Sequence, residues 1–224
     1  MKSINSFAFI IVTSLLLISC RDTADMKELK NVSFSFAGKI AAASWRVIQK
    51  EAENRIIDKK QKILIIGDSM ADGFGFFLLK NFRDLKHTLI RAGVTSTSSM
   101  FWTNSDSLNY LVNLNDPDFI IIFLGSNEYK YKDTANLVRV IKKIERDTRG
   151  VPFIWVGPEL DTKDGRYNRI LESVLGRGRY VSLKEFAFEK GKIKNHPSEK
   201  GWTELIGQLN EWIITRSDYP LRLL

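Results

Sequence analysis

The sequence predicts an α/β fold, a three-layer α/β/α sandwich around a central, mostly parallel sheet of five strands. Short apolar runs alternate along the chain with longer segments in which apolar residues recur every three or four positions. Strands that are apolar on both faces are typical of buried parallel sheets, and their alternation with amphipathic helices indicates helices on both sides. A length of 224 residues suits one such domain preceded by a leader.

The first twenty residues have the pattern of an export signal. A lysine near the start precedes an apolar run over residues 7–18, which is shorter than the about 20 residues of a membrane-spanning helix. The run ends in Leu-Ile-Ser before Cys20, which resembles the signal of bacterial lipoproteins. We therefore expect removal of residues 1–19 and a lipid anchor on Cys20 in the bacterial cell envelope. Arg21 favours the periplasmic side of the outer membrane over the inner membrane. An uncleaved anchor and a plain signal peptide are the alternatives.

Charge and composition restrict the partners. The net charge of +8 could attract anionic glycans or membranes. Nucleic acid is not expected, because the basic residues are spread along the chain and no nucleic-acid motif is present. Cys20 is the only cysteine, so no internal disulfide can form. Because the chain contains only this cysteine and two histidines as typical zinc ligands, a structural zinc site is not expected. We expect no metal and no cofactor.

The elements follow in order. Residues 20–37 are polar and predict a tether, and residues 38–60 predict an amphipathic helix against the domain edge or, alternatively, a stalk or partner helix. The main domain then spans residues 61–224. Within it, we expect strands over 63–66, 87–91, 119–124, 151–156 and 180–183. Helices are expected over 74–85, 106–114, 134–148, 167–175 and 199–216, with a Ser/Thr-rich loop over 93–104.

Ser69 lies where the first predicted strand gives way to a helix. Ligands bind at the carboxyl ends of strands in open α/β sheets. A serine there lies at the positive end of the helix dipole, beside backbone N–H groups that can hold an anion. Asn127 and His196 follow other predicted elements, and loops after successive parallel strands share one edge. The three side chains are therefore expected to converge in one cleft. The alternatives are a helix cap for Ser69, a turn residue for Asn127 and a surface residue for His196.

Residues 67–73 and 154–158 look most like an exported branch of the SGNH (GDSL-type) hydrolase superfamily. Three motifs resemble those of this superfamily, over about residues 60–216. They are Gly67-Asp68-Ser69, Gly125-Ser126-Asn127-Glu128 and His196-Pro197 ahead of the last helix. The resemblance implies a flavodoxin-like sheet and hydrolysis or transfer of an acyl group through a seryl ester, with Ser69 as nucleophile and His196 as base. It implies an oxyanion hole made by the Ser69 N–H, the Asn127 side chain and an N–H from the second loop. Asp68, Gly125 and Glu128 would support these loops.

The chain departs from the family pattern at two places. The glycine expected in the second loop aligns with Ser98 or Ser99, whose N–H would take over its role in the oxyanion hole. The aspartate expected three residues before the histidine is replaced by Ile193. Three outcomes stay open: a Ser–His dyad oriented by a backbone carbonyl, a substitute carboxylate from Glu189 or Glu185, or a site that no longer catalyses.

The first hypothesis is a lipid-anchored esterase of the cell envelope that removes or transfers a small acyl group. Its substrate would be a small ester or an acylated glycan, for instance one that carries O-acetyl groups. The alternative hypothesis is a catalytically impaired lipoprotein that uses the same pocket for binding or as a scaffold, and it rests on Ile193.

Overall fold

The computed structural model describes residues 55–128, 133–159, 165–193 and 196–224. The predicted signal at 1–19, the lipidation of Cys20 and the tether at 20–37 lie outside the described residues, as does the helix up to residue 54. The prediction that this helix reaches residue 60 is wrong, because Ile57 instead forms a parallel bridge with Leu221. None of the helices within the described ranges is both long enough and apolar enough to cross a membrane.

Five parallel strands form the central sheet, which confirms the predicted α/β class. They are β1 (Lys62–Gly67), β2 (Thr88–Gly93), β3 (Phe119–Phe123), β4 (Phe153–Gly157) and β5 (Tyr180–Ser182). Their order across the sheet is β2-β1-β3-β4-β5, and every neighbouring pair is parallel. Every residue of β3 and β4 is buried, as their apolar sequences predict.

Six α-helices lie in the described ranges: α1 (Ser69–Asn81), α2 (Ser99–Asn104), α3 (Ser107–Asn115), α4 (Thr134–Asp147), α5 (Arg166–Leu175) and α6 (Glu199–Arg216). A short 3-10 helix spans Leu183–Glu185. Helix α1 begins five residues before the apolar pattern that predicted it, because Asp68 accepts the N–H of Met70 at 2.8 Å and caps it. Helix α2 occupies the end of the predicted 93–104 loop, which corrects that part of the prediction.

The apolar core is divided by the sheet into two layers. Alternate residues of β1 point to opposite sides, so Ile63 and Ile65 belong to one cluster while Leu64 and Ile66 belong to the other. The first cluster contains residues of α1 and α6, and the second contains residues of α2, α3, α4 and α5. The three-layer arrangement predicted from the sequence is therefore present.

The strand order determines where a site can form. Chain connections run from β1 outward to β2, then back across to β3 on the other side of β1. A crevice opens beyond the carboxyl ends of the strands at such a reversal. The loops after β1, β2 and β3 all meet there, and these loops carry Ser69, the 94–98 segment and Asn127.

Candidate active site

Ser69 is the first residue of α1, directly after the turn that follows β1. The turn is tied to the neighbouring strand, since the N–H of Asp68 donates to the carbonyl oxygen of Phe123 at 3.0 Å. An N–H in the first turn of a helix has no partner within the helix, so the Ser69 N–H is placed for an external acceptor. Rigid secondary structure on both sides thus positions the hydroxyl.

His196 meets Ser69 across the cleft. Its Nε2 lies 2.8 Å from the Ser69 Oγ, although the two residues are 127 positions apart. The backbone around the ring is fixed, because the His196 N–H donates to the Ile193 carbonyl at 3.0 Å and its own carbonyl accepts the Gly191 N–H at 2.7 Å. The structure therefore brings the predicted nucleophile and base into hydrogen-bond contact.

A cavity of about 790 Å³ opens beside this pair. Asn127 reaches its wall, and its Nδ2 donates one hydrogen to the Thr97 carbonyl at 2.7 Å. A second amide hydrogen remains on the same nitrogen for a ligand. The floor is apolar and is formed by Gly73, Phe77 and Trp202, of which Phe77 and Trp202 stack with ring centroids 5.7 Å apart.

The second-loop residues predicted for the oxyanion hole are not the ones at the cavity. The Ser99 N–H donates to the Glu128 carboxylate at 2.5 Å, and neither Ser98 nor Ser99 lines the cavity, so this part of the prediction is corrected. Thr95 and Ser96 line the cavity in their place. Ser96 has a φ of 63°, the left-handed conformation that favours glycine. The sequence signal that could have identified Thr95 and Ser96 was their position shortly after Gly93, the last residue of β2.

The supporting residues of the predicted site lie beneath it. Asp68 and Glu128 are buried, at 0% and 2% exposure. Gly125 adopts a φ of +128°, and a Cβ there would lie 2.4 Å from the Tyr167 ring. The loop after β3 can therefore pass close to α5 only with glycine at this position.

Burial changes the acidity of both supporting carboxyls. It raises the pKa of Asp68 to about 6, against a lowering by the Met70 N–H and a further rise from the charge of Glu128. Burial also raises the pKa of Glu128, against a lowering by the hydrogen bonds from Ser99. Two buried acids with raised pKa values thus lie next in sequence to Ser69 and Asn127.

The structure gives other partners to the two carboxylates suggested as substitutes for the missing aspartate. Glu189 accepts the Ser198 hydroxyl at 2.5 Å, which ties it to the start of α6. Glu185 lies 3.3 Å from Arg216 near the end of the same helix. Ile193 lines the cavity with 69% of its surface exposed. In the described part of the chain, no group of three or more His, Cys, Asp or Glu residues is arranged to hold a metal ion.

No protein-family model matches the chain, and no curated protein sequence matches it. Solved structures do match. A family 3 carbohydrate esterase of Clostridium thermocellum superposes with a TM-score of 0.52 at 16% identity, over 70% of this chain and 96% of that one. A catalytic mutant of an acetylxylan esterase from Geobacillus stearothermophilus gives 0.52 at 15% identity, over 69% and 94%. TesA gives 0.52 at 16% identity, over 66% and 96%. The chain therefore has the fold of the SGNH-type esterases.

Proposed function

We propose that the protein is a serine esterase with Ser69 as nucleophile and His196 as general base. The observation that carries this proposal is the 2.8 Å hydrogen-bond distance between Ser69 Oγ and His196 Nε2. A serine hydroxyl is a weak nucleophile at neutral pH unless a base removes its proton as it attacks. Here the base lies within reach of that proton, and a cavity large enough for a substrate opens beside both groups.

The reaction proceeds in two halves. Ser69 Oγ bonds to the ester carbonyl carbon while its proton passes to Nε2, which requires that the neutral ring carries its hydrogen on Nδ1. The tetrahedral intermediate then expels the alcohol, which takes the proton from the ring, and an acyl-serine remains. Water attacks this ester, again losing a proton to His196, and releases the acid and the free serine. Attack by a second alcohol in place of water would transfer the acyl group.

The negative oxygen of the intermediate is stabilised by hydrogen-bond donors at the cavity wall. We assign this role to the Ser69 N–H, the Asn127 side-chain amide and the backbone of Thr95 and Ser96. The positive end of the α1 dipole adds to the stabilisation. Losing one such donor typically lowers the rate about 100- to 1,000-fold.

Catalysis does not require a carboxylate at position 193. In a serine protease, loss of the triad aspartate lowers kcat about 100-fold less than loss of the serine or the histidine. The backbone bonds that fix the His196 segment supply part of the positioning that an aspartate would give. We therefore infer that the Ser69–His196 pair turns over esters slowly.

For the substrate we propose a small acyl ester, with O-acetyl groups on a cell-envelope glycan as the candidate. The support is the predicted export signal with Cys20, the basic net charge of +8, and the fold similarity to esterases named for carbohydrate and acetylxylan substrates.

The lipid anchor on Cys20 is part of the proposal. Cys20→Ser should release the protein from the membrane fraction, and mass spectrometry of the purified wild type should find the lipid on residue 20.

Purified protein assayed with p-nitrophenyl acetate and an O-acetylated glycan tests the proposed reaction. Because the triad aspartate is already missing, Ser69→Ala and His196→Ala should each lower kcat by roughly 100-fold. Ser105→Ala, at an exposed serine away from the cavity, is the control. Equal turnover in wild type and Ser69→Ala would rule out the nucleophile. Inertness of the wild type to both substrates and to a fluorophosphonate probe would favour the alternative of a binding or scaffold lipoprotein.

A further inference from the structure

The segment after β2, residues 95–99, is called the β2 loop here, and it forms the cavity wall opposite His196 through Thr95 and Ser96. Two consecutive residues of the loop after β3 hold it. Asn127 donates from Nδ2 to the Thr97 carbonyl at 2.7 Å. Glu128 Oε1 accepts the backbone N–H of Ser99 at 2.5 Å and also the Ser99 hydroxyl. The middle and the last residue of the β2 loop are therefore attached to the same neighbouring segment.

The Ser99 hydroxyl connects two other buried groups. Its Oγ donates to Glu128 and lies 2.8 Å from the Tyr167 hydroxyl, within hydrogen-bond distance. Tyr167 lies in the first turn of α5, which follows β4. A chain of hydrogen bonds from Tyr167 through Ser99 to Glu128 thus connects the segments that follow β4, β2 and β3.

Burial strengthens this chain. Tyr167, Ser99 and Glu128 are only 2%, 1% and 2% exposed, so water does not compete for their bonds. The chain ends in the same loop as a residue in a left-handed conformation, which is unfavourable for any residue other than glycine. Ser96, with its φ of 63°, lies three residues before Ser99 in the same loop.

We propose that the Tyr167–Ser99–Glu128 chain is a positioning network, which holds the β2 loop where its backbone can stabilise the oxyanion. The inference rests on the proposed esterase function and adds to it three residues that touch no reacting atom. The network acts through Ser99 on Thr95 and Ser96, and it places the donors before substrate arrives. A preorganised donor strengthens binding of the transition state more than binding of the substrate.

Kinetics of three variants test the network. Tyr167→Phe, which deletes one hydroxyl, should lower kcat about 10-fold, and Glu128→Ala should lower it about 100-fold or more. KM should change by less than about 2-fold, because the donors act mainly in the transition state. Glu128→Gln should recover most of the activity, since its amide oxygen can accept the same Ser99 N–H. Tyr110→Phe, at a tyrosine that is 64% exposed on α3, is the matched control.

Amide hydrogen exchange supplies a readout independent of activity. The amides of residues 95–99 should exchange at least about 10-fold faster in Tyr167→Phe and Glu128→Ala, while β3 exchanges as in the wild type. Unchanged kcat and unchanged exchange in Tyr167→Phe would overturn the inference, even where Glu128→Ala fails to fold. If the wild type hydrolyses no ester, the proposed function fails, and the exchange rates alone decide whether the network holds the loop.

Discussion

Asp68 is the residue whose chemistry is most altered by its place in the fold. It is fully buried, and its Oδ1 caps α1 by accepting the N–H of Met70. Burial and the nearby charge of Glu128 raise its pKa to about 6. At neutral pH the folded protein therefore keeps an ionised carboxylate in a site that favours the neutral acid.

The Asp68→Asn variant should reveal this in the pH dependence of stability. The folded pKa of about 6 lies above the ordinary value of 3.8, so between these values the folded state binds the extra proton. The contribution of Asp68 to stability is therefore greatest in acid and falls as pH rises, by about 3 kcal/mol relative to the variant. Asparagine keeps the helix cap and does not titrate.

Urea unfolding of both proteins from pH 4 to 7 measures this difference. Asp84→Asn, at an exposed position, is the control. A constant difference between wild type and Asp68→Asn over this range would contradict the raised pKa.

Sequence patterns located the side chains of the proposed site but not all their neighbours. Ser69, Asn127 and His196 follow strands or precede a helix, so topology alone brings them to one edge. The misplacement of the second-loop donor onto Ser98 and Ser99 has a physical reason. Ser96 has a left-handed backbone conformation, and serine itself carries no signal for that conformation.

At the scale of elements, the contact between α1 and α6 builds the cavity floor. Gly73 lies one turn after Ser69 on the same face of α1. A Cβ at Gly73 would lie 2.3 Å from Trp202 Cζ2, and Trp202 is only 4% exposed, so the ring has little room to move. The absent side chain lets the indole of α6 pack directly against α1 below the nucleophile.

Two glycine-to-alanine changes should have opposite effects on stability, because a methyl group at Gly73 would meet Trp202 and one at Gly207 would meet nothing. Gly73→Ala should lower the free energy of unfolding by about 1–3 kcal/mol, since it overpacks the contact with Trp202. Gly207→Ala, within α6, meets no atom within 4 Å and should raise it by about 0.5–1 kcal/mol through helix propensity. Thermal and urea unfolding of the two variants would measure both changes in the free energy of unfolding. Stabilisation by Gly73→Ala would mean that the helices are not in close contact there.

Element boundaries were predicted where the signal is local and missed where it is distant. The bounds of α6 match the predicted 199–216 because an apolar stripe and the Ser198 cap lie within the segment itself. Helix α2 was predicted as loop, because its Ser/Thr-rich start is typical of a loop. The carboxylate that accepts its first N–H belongs to Glu128, 29 positions away, and no local pattern carries that information.

At the scale of the whole molecule, His87 joins the start of the sheet to the C-terminal segment. The ring is 7% exposed, and its Nδ1 accepts the Gln61 N–H at 3.0 Å. Its Nε2 therefore carries the hydrogen and donates to the Arg222 carbonyl at 2.7 Å. Leu221 and Leu223 beside this carbonyl are buried in the core, at 0% and 1% exposure. The histidine thus fastens a segment that closes one end of the first core layer.

His87→Ala should leave the buried N–H of Gln61 and the partly buried carbonyl of Arg222 without these partners. We expect a loss of about 2–4 kcal/mol in the free energy of unfolding, with the catalytic rate of the folded protein unchanged. Denaturant unfolding and ester assays on one preparation separate the two effects. Thr88→Ala, at the exposed neighbouring position, is the control. A loss of activity without a loss of stability would show that His87 reaches the site.

The proposed nucleophile is the first residue of α1, and the proposed base lies just ahead of α6 in the same layer. The distance between Ser69 Oγ and His196 Nε2 therefore depends on the apolar contact between α1 and α6 about one turn further along. A misplacement of about 1 Å in such a pair can slow a reaction about 100-fold. Turnover should therefore be sensitive to small shifts in the contact between α1 and α6. On warming, the rate should fall before the protein unfolds.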